Sequence, residues 1–299
     1  MPQRKSIALY RKNLLAMPGN KMQHEAWLYS HSEFDAKGNL TEQSVYTQDG
    51  VLVERIINEF DANGFLIREK YLADADETSE EKSFQRDDKG LVLKEFKHYN
   101  DGSFDTTTYE YDNQYRIVSK VTMNDEGEIE QKILNEYRDD FLVKTQTFDG
   151  ENNLVQLDEF KYDEKGNSVE HKKIDNESGT NAFIVTSYNH HGRKKEEITY
   201  DEDGDIINET SYAEDEKGRL LNIIEEGSEK DFAIKFTYDE QDNIIHQEEL
   251  SNQGKQLVSV KREFDKDNNL IRSEVYIDGQ GQTLPQHYEV CIEYTFYDE

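Results

Sequence analysis

The chain alternates in character along its length. In LVQLDEFKY, residues 154–162, the two-residue period places Leu154, Gln156, Asp158, Phe160 and Tyr162 on one face. IINETSY does the same with Ile206, Asn208, Thr210 and Tyr212. Apolar residues gather at the ends of such segments and polar ones at their centres. Thr, Val, Ile, Tyr and Phe supply strand propensity, and the only prolines are Pro2, Pro18 and Pro285. A body free of proline suits a continuous hydrogen-bonded ladder.

Turn signals punctuate the strands at a fixed period. The second position of a Tyr/Phe-Asp-like pair falls at Asp35, Asp61, Asp87, Asp112, Arg138, Asp163, Asn189, Asp215, Asp239 and Asp265, at intervals of 24 to 26 residues. In YDEKGN, Asp163 suits the first position of a type I turn, where its carboxylate accepts a backbone N–H two residues on. Gly166 suits the left-handed residue of a G1 bulge. Gly38, Gly64, Gly90, Gly192 and Gly218 hold the same place, and Asp242 and Asn268 substitute for it. Tyr115 and Phe141 do not fit, which predicts a different form for those two turns. A second signal lies midway in each period: Gln48–Gly50, Asn100–Gly102, Asp125–Gly127, Phe148–Gly150, Asp201–Gly204, Asn252–Gly254 and Ile277–Gly279. Asx-Gly is a short-hairpin signal.

Each period therefore reads strand, turn, strand, turn. The predicted fold is all-β: an elongated antiparallel β-hairpin array of about ten repeats of ~26 residues, about 100 Å long at the usual strand spacing. Strand twist would coil it into a superhelical or open shell-like sheet. No linker divides it, so residues 27–299 read as one repeat domain, with 1–26 as an N-terminal cap and 277–299 as a C-terminal cap. Lys5 to Met17 fits a short helix, with Ile7, Tyr10, Leu14 and Met17 on one face, or a first irregular strand. Trp27, the single Trp, is expected to cover an exposed ribbon end. DADETSEEK, Asp74 to Lys82, reads as a solvated acidic loop.

The repeating (Tyr/Phe)-Asp-x-x-Gly-x-(Leu/Ile), in FDAKGNL, FDANGFL and more loosely YDEKGNS and YDEQDNI, resembles the YD repeat of RHS-type bacterial proteins. The shorter hairpins also resemble MORN-variant repeats. The resemblance covers about Phe34 to Tyr276. It implies a non-catalytic β-sheet scaffold, which large RHS proteins use to enclose a toxin domain. This chain is far shorter, and an open ribbon is expected.

Composition narrows the partners. Acidic residues number 65 against 35 basic, a net charge of −30. Phosphate binding needs clustered Lys and Arg, so nucleic acid is an unsuitable partner; anionic membranes are unsuitable for the same reason. A basic protein partner suits the charge. Mean hydropathy is −0.98, yet 11% of residues are aromatic. That aromatic content and the periodicity favour a folded chain over a disordered one. The single Cys, Cys291, excludes an internal disulfide framework, and its strand-like surroundings predict burial. No apolar stretch approaches the roughly 20 residues of a membrane helix, so membrane insertion is not expected. The basic start lacks a continuous signal core, and the expected location is cytoplasmic.

Candidate chemistry is sparse. DEDGD at Asp201–Asp205 and DKDNN at Asp265–Asn269 gather oxygens but do not continue as an EF-hand loop, and read as turn aspartates. His190–His191 lack an evident third ligand. No G-x-S-x-G, Walker or H-E-x-x-H motif occurs, and DGQGQT at Asp278–Thr283 lacks the third dinucleotide glycine. The sequence reading is therefore no enzyme, no catalytic residue, no cofactor and no metal. It points instead to a protein-binding scaffold. The candidate contacts are Trp27, Tyr46, Tyr71, Tyr99, Tyr212 and Tyr276, aromatics beside carboxylates, whose alternative role is a structural cross-strand ladder. Two other readings remain open: a chaperone or immunity-type partner of an RHS toxin, and a cell-surface or carbohydrate-binding repeat.

Overall fold

The computed structural model describes residues 3–15, 25–73, 77–227, 231–279 and 283–298. Met17 of the N-terminal segment, residues 74–76 of the acidic loop and residues 280–282 of DGQGQT lie outside the described residues. Among those described there are 22 strands and no helix. The first eight are β1 (Arg4–Asn13), β2 (Trp27–Phe34), β3 (Leu40–Tyr46), β4 (Leu52–Phe60), β5 (Leu66–Ala73), β6 (Glu77–Arg86), β7 (Val92–His98) and β8 (Phe104–Tyr111). Then follow β9 (Ile117–Met123), β10 (Ile129–Arg138), β11 (Phe141–Asp149), β12 (Leu154–Tyr162), β13 (Ser168–Asp175), β14 (Thr180–Tyr188) and β15 (Lys194–Tyr200). The last are β16 (Ile206–Glu214), β17 (Leu220–Gly227), β18 (Phe232–Tyr238), β19 (Ile244–Ser251), β20 (Gln256–Phe264), β21 (Leu270–Ile277) and β22 (Gln286–Phe296).

All belong to one antiparallel sheet, and its ends meet. β1 pairs with β2 on one side, Ala8 opposite His31, and with β22 on the other, Tyr10 opposite Cys291. This overturns the open, capped superhelical ribbon or shell: the sheet is closed, with the topology of a barrel. The physical reason is the edge. An open ribbon leaves two rows of unpaired N–H and C=O groups, and closure removes both. The segment expected as a cap or helix is the strand that completes the ladder. Trp27 therefore covers no ribbon end. It starts β2 and pairs with Arg11 of β1. The acidic loop is also shorter than expected, because β6 begins at Glu77.

Two compact units make up the chain. Unit 1 is Met1–Phe84, Lys97–Gly102 and Ile234–Glu299. In it the ladder runs from β19 through β22 to β1 and on to β6. Unit 2 is Gln85–Phe96 and Ser103–Ala233, with a ladder from β8 to β17.

Most of the turns share one form. In YDEKGN, Gly166 donates to the Asp163 carbonyl at 3.0 Å and sits at φ 85°. Asp163 Oδ1 accepts the Lys165 and Asn167 N–H groups at 2.9 and 2.8 Å, and Oδ2 accepts the Asn167 side chain at 2.8 Å. The midway turns repeat this geometry. Thr47, Asn124, Asp201 and Ser251 take the Asp163 place, and Gly50, Gly127, Gly204 and Gly254 take positive φ. They are five-residue loops with a G1 bulge, so the structural period is one strand and one turn, half the sequence period. Phe148–Gly150 departs from its expectation. Asn152 adopts the positive φ there, while a Cβ at Gly150 would overlap the Ile129 carbonyl.

Phe141 follows a tight Asp139–Asp140 turn, a different form as expected. Tyr115 does not: it adopts φ 63° in a turn like the others, closed onto Asp112 at 3.0 Å. Left-handed backbone strains a side chain with a Cβ. Lys89 Nζ, 2.7 Å from the Tyr115 hydroxyl, offsets part of that strain. Tyr115→Gly should stabilise the chain by about 0.5–1 kcal/mol in chemical denaturation. A destabilised variant would mean that the Lys89 contact outweighs the strain.

Tyrosines near strand ends tie adjacent strands together. Tyr137, Tyr162, Tyr188 and Tyr294 each end or nearly end a strand. Each donates its hydroxyl to a carbonyl at the start of the strand beside it: Ile117, Leu142, Ser168 and Leu270, at 3.1, 2.8, 2.7 and 2.8 Å. Where the repeat has Phe60, Asn58 takes over and donates to the Leu40 carbonyl at 3.1 Å. Tyr162→Phe should cost about 1 kcal/mol and lower the melting point by about 2 °C, having left one carbonyl unpaired. An unchanged melting point would remove this role.

No second layer covers the sheet within either unit. Leu72 is the one buried hydrophobic among the described residues; the other buried residues are Ser30, Ser32, Ser44, Thr107, Ser119, Asp158, Thr186, Thr210 and Ser259. These short polar residues lie within strands, away from the turns. Accessible surface is 19103 Å², against about 13,000 Å² expected for a globular monomer of this mass. Stability must come from ladders, turns and cross-strand pairs more than from a core.

Candidate partner-binding surface

The turn carboxylates are engaged in holding the backbone. Hydrogen bonds from Asn167 to Asp163, from Asn39 to Asp35 and from Asn269 to Asp265 hold those acids below the usual aspartate range. Asp201 in DEDGD accepts the N–H groups of Asp203 and Asp205 at 3.0 and 2.9 Å. Among the described residues no group of three His, Cys, Asp or Glu is arranged to hold a metal. His190 and His191 lie ring against ring at 3.7 Å.

The six candidate aromatics do not form one row. Register places Tyr46 on the face of Ser44, Arg55 and Leu72, and Tyr71 on the opposite face. Tyr99 is 38% exposed, with Lys97 Nζ 5.3 Å from its ring centre. Tyr212 lies in unit 2, where burial raises its pKa against the opposing charge of Lys194. Tyr276 and Trp27 are separated by β22 and β1.

Tyr276 borders a concavity of about 500 Å³ on β19–β22, with His246, Glu248, Ser259, Lys261, Glu274 and His287 around it. This volume is within the range of small-molecule sites. Its two histidines are paired internally: His287 with Glu274 at 2.9 Å, and His246 with Ser259 at 3.0 Å. The His246–Ser259 pair has the spacing of a base and a nucleophile. Ser259, however, is 7% exposed, mid-strand and paired on both sides. The ladder takes the nearby N–H groups that would otherwise stabilise an oxyanion. The arrangement suits binding better than acyl transfer.

The meeting of β22, β1 and β2 concentrates a second set of residues. The Arg11 guanidinium lies 3.9 Å from the centre of the Tyr288 ring, with Tyr29 and Trp27 at 5.8 and 5.9 Å. Arg4 lies 5.0 Å from the Tyr294 ring centre and bonds Asn269 at 3.1 Å. Lys5 lies 6.0 Å from Tyr297, whose hydroxyl donates to the Phe34 carbonyl at 2.6 Å. Cys291 is half-buried rather than buried, and burial followed by Glu289 raises its thiol pKa. In this seam Trp27 and Cys291 stand out in the sequence as the single residues of their kind. The available signal was RKSIALYRKN itself, a basic run in an acidic chain.

These features define a closed antiparallel hairpin sheet whose faces present aromatic rings and carboxylates. No family model matches the chain, and no curated protein matches it. Among solved structures it is similar to a chain in the crystal structure of TcdB2-TccC3-Cdc42, at 9% identity and a TM-score of 0.35 over 91% of this chain and 19% of that one. It is also similar to a porin-like protein from Bacteroides uniformis, at 9% identity and a TM-score of 0.32 over 98% of both chains. A third likeness is to TcdB2-TccC3 without its hypervariable C-terminal region, at 12% identity and a TM-score of 0.29 over 90% of this chain and 18% of that one. The chain thus spans about a fifth of the toxin chains' length. At these TM-scores the fold assignment rests on the strand pairing, not on the likenesses.

Proposed function

We propose that the chain is a non-catalytic acidic scaffold that binds a protein partner with a basic surface. The observation that carries this reading is the uncovered sheet. One hydrophobic side chain is buried among the described residues, while Val51, Ile129, Ile206 and Phe104 stand exposed beside turns. Apolar residues exposed beside carboxylates suit a partner that brings both contact area and positive charge.

The test is retrieval from the native cell at low and high salt, followed by reconstitution with the purified partner. The expected result is a 1:1 complex with a basic protein, weakened by salt because charge steers it. Retention of no protein at either salt concentration would remove the reading. So would a complex indifferent to salt with an acidic protein.

A further inference from the structure

β1 differs from every other strand. The chain carries −30, yet RKSIALYRKN holds four cations and no carboxylate. Among the described residues none of those cations sits in a close ion pair; Arg4, Lys5 and Arg11 rest on aromatic rings. Lys12 faces Glu289 across the ladder and contributes to lowering its pKa, after the larger effect of Arg272. The strand is also joined to its neighbour by a longer connection than most. Residues 14–26 join it to β2, where five-residue loops join most other neighbours. Its fit is incomplete: Arg11 Nε and Trp27 Nε1 are buried without a hydrogen-bond partner.

We propose that the gap between β2 and β22 is an acceptor site for a basic, strand-forming segment of the partner, with β1 as its resident occupant. This rests on the basic-partner reading and specifies where that partner binds. The incoming strand takes the backbone positions of β1 along β2 and β22. It places an arginine in the Tyr288–Tyr29–Trp27 cage and a second cation, seven residues earlier, against Tyr294. Charge complementarity selects it, because the surrounding sheet is acidic and the site already holds the most basic strand of the chain. Tethered β1 competes at high effective concentration, so the site opens only to a segment that fits better or when β1 is weakened.

The experiment uses the full chain and a fluorescent RKSIALYRKN peptide. Its controls are the same peptide with its four cations replaced by glutamate, and a Lys-Pro repeat, which is basic but cannot join a ladder. Arg11→Glu weakens the resident strand. Tyr10→Cys, oxidised onto the facing Cys291, locks it. The expected result is that Arg11→Glu binds the peptide at least about tenfold more tightly than the native chain. The oxidised Tyr10→Cys chain should bind none, and reduction should restore native uptake. If Arg11→Glu fails to fold, added peptide should restore its strand circular dichroism; no restoration overturns the proposal. Equal binding to the locked and weakened chains also overturns it, as does exchange of β1 between copies without peptide uptake. If every form binds the Lys-Pro repeat as well as the peptide, the acceptor site falls and the basic-partner reading stands. If no form binds any basic probe, both fall.

Discussion

A chain lacking Arg4–Asn13 should lose its single cooperative melting transition and self-associate. β1 is paired on both sides: nine of its residues face β22 and six face β2. Its removal bares two edges at once, with their N–H and C=O groups exposed to other chains. It also strips Tyr288 and Tyr294 of their cations, and the Ser6 hydroxyl from Thr295 at 2.7 Å. A globular protein could absorb such a loss into its core, but this chain has one buried hydrophobic residue among those described. The expected fall in melting point is at least about 10 °C, with oligomers visible by light scattering. A monomeric deletion variant with native melting would show that the sheet does not depend on closure.

Acidification should produce the second large effect, and in two phases. Between neutrality and about pH 5 the −30 charge is partly titrated, self-repulsion falls, and the melting point should rise. Below about pH 4 the turn acids reverse this. The pKa values of Asp35, Asp149, Asp163 and Asp265 are lowered first by an Asn side chain. Those of Asp61, Asp112 and Asp215 are lowered first by the backbone N–H four residues on. A carboxylate lowered in the folded state contributes stability that is present above its unfolded value of about 3.9. That contribution is lost as pH falls through the folded value. Unfolding should therefore be steep, because several turns lose their ties in one pH window. Asp163→Asn should shallow the acid transition and lower stability at neutral pH. A melting point that climbs steadily down to pH 2 would show that repulsion, not turn chemistry, governs the acid response.

The turns were the legible part of this fold, because their chemistry is local. Asp163 and Gly166 follow from what a type I turn with a G1 bulge requires, wherever the strands go. Tyr115 was not legible, because propensity alone disfavours a tyrosine there and the compensating lysine lies a full period away. The midway Asx-Gly pairs suggested two-residue hairpins. The residues that decide otherwise are Thr47, Asn124 and Ser251 further upstream, whose side chains accept the closing N–H or cap the loop. Alternation predicted strands but could not say which edges meet, since every strand of a one-layer sheet reads alike. The β1 segment was ambiguous for a specific reason: Ile7, Tyr10 and Leu14 satisfy a helical spacing while Ile7 and Leu9 satisfy a strand. Pairing with β22, far along the chain, decides between them.

The same limit applies to the candidate surface. Tyr46 lies seven residues past its preceding loop and Tyr71 six. One residue of offset in register sends them to opposite faces. Arg11, Tyr29 and Tyr288 converge only because the sheet closes, so no local pattern could group them. Trp27, the single tryptophan, belongs to that group through its contact with Arg11.

Closure by β1 is the central claim, and one cross-link tests it most directly. Tyr10 faces Cys291 across the β1–β22 ladder, and Cys291 is the chain's only cysteine. In Tyr10→Cys, mild oxidation of dilute protein should give a monomer in which a disulfide joins the peptides around residues 10 and 291, released by reductant. Two free thiols under those conditions, or disulfides found only between separate copies, would contradict the closed sheet.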